Sequence, residues 1–406
     1  MKYCSYMLWL FLGMSLCAGA PGCRDRDDAE MSGGARDTEI APYQTELLDI
    51  AFEAATAMPV QPHIKDRSRA QEAVVTACLE LDQPERALRY LKGIDNWRRG
   101  IAYADLAWYC AQRGLTNDVK AYLDEASRIA DTAEDWRKDR IKIKVSQTYA
   151  YLGRNEAAAR SEQGLEDSAS GALAKREAIT CSAETFNDTM KGLKQLVSAG
   201  DLDAVKNALA AYAELFKSFY ADAGKRAEIE KDIKAAWEAA PLFLRIELLF
   251  ELAGIALDRD DPAKAIELLD EARNILDGAD WPPRAYISLL AKQAKLRFHA
   301  GDGEGASAEV REAIDLFQTR RKQIVNIYRA ETLHPIAEAL QAMGQTESAL
   351  HIYARAVEAG VENPNSRPRA EDLAATCCSM AVYGAKPGAE LLRRIHEVRD
   401  DLGDPW

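Results

Sequence analysis

Motifs that carry chemistry are what this 406-residue chain has least of. It holds five histidines, His63, His299, His334, His351 and His396. None forms a His-Glu-x-x-His pair, so the ligand set of a zinc hydrolase has no support. There is no Gly-x-Ser-x-Gly elbow, no Walker loop and no Gly-x-Gly-x-x-Gly turn, which removes the common serine-hydrolase, P-loop and dinucleotide-binding readings. Eight cysteines are present without a single Cys-x-x-Cys, so neither a structural zinc site nor a thioredoxin-like couple is spelled out. Positive charge is also short, with 52 Lys and Arg against 65 Asp and Glu and a net charge of −13. That balance argues against a nucleic-acid or anionic-lipid footprint for the chain as a whole, leaving only a local basic patch around Arg320, Arg321 and Lys322. No stretch alternates polar and apolar residues for long enough to be a strand. No apolar run reaches the roughly 20 residues needed to span a bilayer.

The longest apolar run, Met7 to Leu16, follows the positive Lys2 and precedes the small residues Ala18-Gly19-Ala20-Pro21-Gly22-Cys23. This is the anatomy of a secretory signal. Two cleavage readings stay open. Ala18-x-Ala20 suits ordinary signal peptidase, whereas Ala20-Pro21-Gly22-Cys23 resembles a bacterial lipobox, in which the cysteine receives lipid. The expectation is residues 1–22 as signal peptide, Cys23 as the lipidation site, and 23–42 as a polar, flexible tether. The chain is then exported and lipid-anchored in the cell envelope or periplasm, or alternatively soluble there or secreted. The membrane enters only through the lipid.

Beyond residue 42 the pattern is helical almost throughout. Short turns separate segment pairs, for example Asp82-Gln83-Pro84, Gly114-Leu115-Thr116, Gly153-Arg154-Asn155, Asp260-Asp261-Pro262, Gly301-Asp302-Gly303, Gly344-Gln345-Thr346 and Gly384-Ala385-Lys386-Pro387. Glycine suits the left-handed residue that ends one helix, and Pro, Thr, Asp or Asn opens the next. Gly301 to Gly305 is such a turn and not a phosphate cradle, since it carries two carboxylates. The run Asp258 to Asp261 is likewise a turn rather than a calcium loop.

Alanine then sets the register. Ala253, Ala265 and Ala272 are matched by Ala294, Ala306 and Ala313, and again by Ala337, Ala349 and Ala356. Ala107, Val119 and Ala126 keep the same spacing, as do Ser146, Ala158 and Leu165, and Gly192, Ala204 and Ala211. Val75, Ala87, Ile94 and Cys377, Ala389, His396 are weaker edge copies, as expected of repeats that face solvent on one side. Helix, glycine turn and second helix with small residues at these places resembles the tetratricopeptide repeat, in a variant with long helices. The resemblance implies an all-α, right-handed superhelical solenoid of antiparallel helix pairs. The interval between the middle positions Ala204 and Ala265 is too long, and Tyr220 to Ala239 fills it without a triplet. Two half-solenoids, 43–218 and 241–406, are therefore expected, joined by an irregular helix at 219–240. A helix near Gln44 to Met58 is expected to cap the first.

Asn96-Trp97, Asp135-Trp136 and Asp280-Trp281 recur before the turns and read as helix caps with an apolar staple. Cys78 and Cys110, at equivalent places in adjacent repeats, read as small core residues about 9 Å apart, too far for a disulfide. The resemblance also implies a concave inner face made by the first helix of each pair. That face includes Arg69, Glu72, Lys295, Glu331 and Gln341, and the partner-binding candidates are Trp108, Gln147, Phe250, Phe298, His334 and Glu338. The basic clamp that some members of the family use for a peptide carboxylate is absent. The expected function is a non-catalytic scaffold for a protein or peptide partner, with no catalytic residues, metal, cofactor or nucleic acid. The alternative is an enzyme or small-ligand receptor with a pocket at the break near 215–240, where Phe216, Phe219, Tyr220 and Trp237 cluster.

Overall fold

The computed structural model describes residues 35–406 apart from 166–170, 172, 200 and 239. The signal segment and Cys23 lie outside the described residues. Within them the chain folds into nineteen α-helices and no strand. The first seven are α1 (Pro42–Ala57), α2 (Val60–Glu80), α3 (Pro84–Leu91), α4 (Arg98–Gln112), α5 (Val119–Thr132), α6 (Asp135–Tyr151) and α7 (Asn155–Ser161). An irregular stretch follows with α8 (Ala174–Ile179), α9 (Phe186–Ser198), α10 (Leu202–Ser218) and α11 (Ala223–Trp237). Regular pairing resumes with α12 (Leu242–Asp258), α13 (Pro262–Asp277), α14 (Pro283–His299) and α15 (Gly303–Arg320). The last four are α16 (Arg329–Ala342), α17 (Thr346–Val361), α18 (Ser366–Val382) and α19 (Ala389–Asp400).

The turns work as their residues dictate. Gly114, Gly153, Gly301, Gly344 and Gly384 all adopt positive φ, and Asp82 and Asp260 take the same conformation in the two turns that lack glycine. Aspartate tolerates the left-handed region better than most side chains. After Gly301, the Asp302 carboxylate accepts the Gly305 amide at 2.9 Å and caps α15. A Cβ on residue 305 would meet that carboxylate at 2.2 Å, so the glycine string is shaped by its own cap. Asn96 also caps, its Oδ1 accepting from the Arg98 amide at 3.0 Å. Asp135 does not: it sits at φ +53 as the first residue of α6. Asp280 lies ahead of Pro282 and Pro283, which open α14 instead.

All nine alanines of the three C-terminal triplets are fully buried. They lie where α12 packs on α13, α14 on α15 and α16 on α17, and their small size lets these helices approach closely. The first helices of the pairs also touch one another in series, α12 with α14, α14 with α16 and α16 with α18, and likewise α2 with α4 and α4 with α6. The result is a solenoid-like stack. The triplet at Gly192 does not keep its register, because Gly192 is exposed with nothing near its Cβ position.

The two ends of the stack meet. Helix α1 packs on α18 as extensively as α15 packs on α14, and α2 lies against the other side of α18. The Gln44 side-chain amide donates to the Ala381 carbonyl at 2.8 Å, and Arg69 pairs with Glu371 at 2.5 Å. His396 meets Glu46 at 2.9 Å and Arg399 meets Glu53 at 3.0 Å. Leu47, Leu48, Ala51, Ala54 and Ala55 of α1 are fully buried. Helix α1 is thus not a cap, as its place in the sequence suggests. It is the second helix of the last pair, supplied from the opposite end of the chain. Helix α19 takes a more peripheral place, with Ala389 exposed where Ala265, Ala306 and Ala349 are buried. The C-terminal copy is weak because its hairpin is completed by α1 rather than α19, whereas Val75, Ala87 and Ile94 of the first copy are all buried. Contacts run from α2 through α4, α6, α8, α10, α12, α14 and α16 to α18 and back to α2, so the described residues form a closed ring with the first helices of the pairs as its inner wall.

Cys78, Cys110 and Cys377 are buried and free, and Cys181 and Cys378 are free as well. Burial raises the thiols of Cys78 and Cys110, Cys110 to about 11. These are core residues and poor nucleophiles.

Candidate functional site

Closure of the ring brings the ends of four inner helices together. Lys295 on α14 donates to the Glu338 carboxylate of α16 at 3.0 Å and to the Tyr383 hydroxyl, just past α18, at 2.6 Å. The Ser379 hydroxyl donates to the other Glu338 oxygen at 3.1 Å and lies 2.8 Å from the Tyr353 hydroxyl. Ser379 spends its one hydrogen on the carboxylate, so Tyr353 donates to Ser379. A continuous chain, Tyr353–Ser379–Glu338–Lys295–Tyr383, therefore ties α14, α16, α17 and α18 together.

Electrostatics follow from burial and pairing. Burial works to raise the Glu338 carboxyl, but Lys295 beside it holds the group below the ordinary range. Burial opposes the charge on Lys295 too, and Glu338 with Tyr383 keeps the ammonium protonated well past its usual value. Glu80, the last residue of α2, faces the same pair. Burial, then repulsion from Glu338, pushes its carboxyl up to about 7 against the pull of Lys295. His334, one turn before Glu338, is buried and lies 2.8 Å from the Thr376 hydroxyl. That hydroxyl donates to the Asp372 carbonyl at 2.7 Å, so the imidazole Nε2 carries the proton and donates to Thr376. Burial lowers the His334 pKa to about 4, although Glu338 nearby pulls it upward.

A pH prediction follows. The folded pKa of His334 lies below the unfolded value near 6.5, so the unfolded chain binds the extra proton between about pH 4 and 6.5. Stability is lost as pH falls through that window, by on the order of 3 kcal/mol from this group. Urea unfolding at pH 7 and pH 4 is expected to show a steeper loss in the wild type than in His334→Gln.

The candidate residues divide into two groups. His334 and Glu338 join the network, and Phe298 sits half-buried one turn beyond Lys295 on α14. Phe250 is buried in the core on α12. Trp108 and Gln147 lie in the other half of the ring, on α4 and α6. The Trp108 ring is 5.0 Å from that of Tyr151, and Tyr151 is 46% exposed. Glu80, Tyr151 and Tyr383 were not singled out from the sequence. Glu80 and Tyr151 stand five residues after Val75 and Ser146, a place at the ends of the inner helices that the counted inner positions stop short of. A Glu-x-x-His spacing does occur at Glu331 and His334, but its ends serve different partners: Glu331 lies 3.8 Å from Arg284, and His334 bonds Thr376.

At the irregular stretch Phe216 is fully buried, and its ring makes an edge contact with Tyr220 at 5.2 Å. The cleft beside it, lined by Glu230, Ile233, Trp237, Leu252 and Lys264, is shallow. Lys264 closes onto Glu230 across it at 2.9 Å. Among the described residues no group of three or more His, Cys, Asp or Glu is placed to hold a metal ion. No helix among them is long and apolar enough to cross a membrane.

No protein-family model matches the chain, and a search of curated proteins finds no significant match. The site must be read from its own geometry.

Proposed function

We propose that this is a non-catalytic, tetratricopeptide-like scaffold of the bacterial cell envelope, tethered by lipid at Cys23, that holds a protein or peptide partner on the inner face of its N-terminal half. The observation that carries the reading is the Trp108–Tyr151 pair, aromatic and accessible on inner helices. Of the candidates in the other half, Phe250 and His334 are enclosed, and Phe298 is half-buried without an exposed Phe, Tyr or Trp beside it on its own helix. Half-exposed aromatics are efficient contact residues because they offer large, rigid area at little entropic cost. Gln147 lies one helical turn from Tyr151 and supplies an amide donor and acceptor.

The test is photo-crosslinking in intact cells from an aryl-azide or benzophenone residue at position 147. We expect a discrete adduct whose yield drops by about tenfold in Trp108→Ala, in line with loss of a central aromatic contact. No adduct above background in any growth condition would remove the reading. Metabolic labelling with a fatty acid, with Cys23→Ser as the control, reports the anchor separately.

A further inference from the structure

Among the described residues, the exposed large apolar side chains are not scattered. Val60 opens α2, Trp136 stands second in α6, Leu202 opens α10, and Leu242 and Phe243 open α12. Val325 and Ile327 immediately precede α16. Helices α2, α6, α12 and α16 run parallel around the inner wall. Helix α10 shares their direction, since Lys206 near its start interacts with Arg140 near the start of α6 and Glu247 near the start of α12. Six of the seven therefore lie on one face of the ring, within about one helical turn of a common level, and Val60 stands on the same side ahead of a kink at Gln61 and His63. Tyr151, at the far end of α6, is the exception.

The same face carries the basic patch. Arg320, Arg321 and Lys322 end α15 and lead into Val325, and Arg329 follows Ile327. Arg98 and Arg99 open α4, Arg137 and Lys138 follow Trp136, which Asp135 precedes, and Arg367 and Arg369 lie in the first turn of α18. Acidic residues are present too. Asp201 turns back to cap α10 at 2.7 Å, and Glu362 pairs with Arg321 and Arg329. Asp95, Asp131, Glu134, Asp135, Glu238, Asp277 and Asp280 stand on this rim as well, and Arg98 and Arg367 are paired with Glu72 and Glu371. On the opposite face, formed by the turns after the inner helices, the acidic Asp82, Glu85, Asp260, Asp302, Glu304 and Glu347 outnumber the basic Arg113, Arg154 and Arg259. Inner helices such as the 17-residue α12 separate the faces by about 25 Å. That is well beyond the ~8–10 Å over which charges act at physiological salt. The face that bears the apolar groups is thus mixed in charge, with its densest basic run at Arg320, Arg321 and Lys322 beside Val325.

We infer that this face docks on an anionic bilayer surface, its single apolar side chains dipping into the headgroup layer between Arg and Lys. Isolated, coplanar apolar points spread around a ring suit a plane that meets all of them at once. A protein groove calls instead for one contiguous patch. Trp at the apolar–polar boundary and Arg or Lys beside it is the pattern of interfacial anchoring. The chain enters α1 on the opposite face, beside the end of α18. Twelve residue steps from Cys23 to Ala35 can reach about 40 Å, enough to pass the ring edge and share the membrane.

The experiment uses the purified chain with Cys23→Ser, so that failure of the lipid anchor and failure of this inference remain distinguishable. Co-flotation with vesicles of phosphatidylglycerol and phosphatidylethanolamine is expected, weakening in high salt and with phosphatidylcholine alone. Val325→Asp with Ile327→Asp, and separately Arg320→Glu with Lys322→Glu, should each cut binding by about tenfold or more. Tyr151→Asp should leave it unchanged, and all variants should keep the wild-type circular-dichroism melt. The inference is overturned if the parent chain does not float. It also falls if the rim variants float as well as the parent, if Tyr151→Asp abolishes binding equally, or if sedimentation shows a dimer that Val325→Asp breaks.

Discussion

Removing residues 1–58 is expected to strip protection from α18 at the far end of the chain. In an open solenoid, loss of the first helix exposes only its sequence neighbour, because each unit touches only those beside it. Here α1 is the packing partner of α18, and its Leu47, Leu48, Ala51, Ala54 and Ala55 are fully buried there and against α2. Hydrogen exchange measured by mass spectrometry should show residues 366–382 exchanging freely in the truncated chain. Helices α12 and α13, which do not pack on α1, α2 or α18, should stay protected. A milder version, Leu47→Ala, is expected to cost about 2–5 kcal/mol, as for other buried leucines, and to lower protection in α1 and α18 together. Unchanged exchange in α18 would mean that the ring is not closed in solution.

Lys295→Met is the second large effect. It leaves the Glu338 carboxylate in the wall with only the Ser379 hydroxyl for company. Breaking one side of a buried ion pair costs about 3–5 kcal/mol, more than the intact pair contributes over an apolar replacement. The combined variant Lys295→Met, Glu338→Leu should therefore recover much of the loss, and denaturant unfolding of the four members of the cycle measures the coupling. The sign with pH is fixed by the directions of the shifts. Glu338 is held low, so its contribution is present above the unfolded carboxylate range and is lost as pH falls through the folded value. Lys295 is held high, so its contribution persists up to the unfolded lysine range and is lost only as pH rises through the folded value.

How much of this was legible in the sequence depends on the distance over which each feature is encoded. The all-α class, the paired helices and the turn positions are local: apolar spacing, Gly or Asp at the left-handed residue and Pro at the first helical place determine them within a few residues. The alanine triplets are nearly as local, since they report on a helix and its immediate successor. Ring closure is not local. Nothing in Leu47, Ala51 or Ala54 says that their partner lies in α18, and the expectation of a cap at one end and a frayed repeat at the other follows from reading the chain as a line. The site suffered from the same limit. Glu338 and His334 were reached from the repeat register on their own helix. Glu80 belongs with them only because the two ends of the chain meet, whereas Tyr383 lies just past the end of α18, beyond the inner positions that the register counts. Gly192 failed for a different reason, since a glycine at the right interval carries no information about whether anything packs against it.

A solenoid that ends in the open can gain or lose a repeat and merely become longer or shorter. Here the rotation contributed by all hairpins must bring the last inner helix back to the first, and one helix must be lent across the seam. The number of repeats is thereby fixed, and any insertion of a whole hairpin has to break the Gln44–Ala381 and Arg69–Glu371 contacts at the junction. The seam also makes the position of the chain termini arbitrary. Joining the existing ends and opening the turn at Gly344 keeps every helix beside its present neighbours.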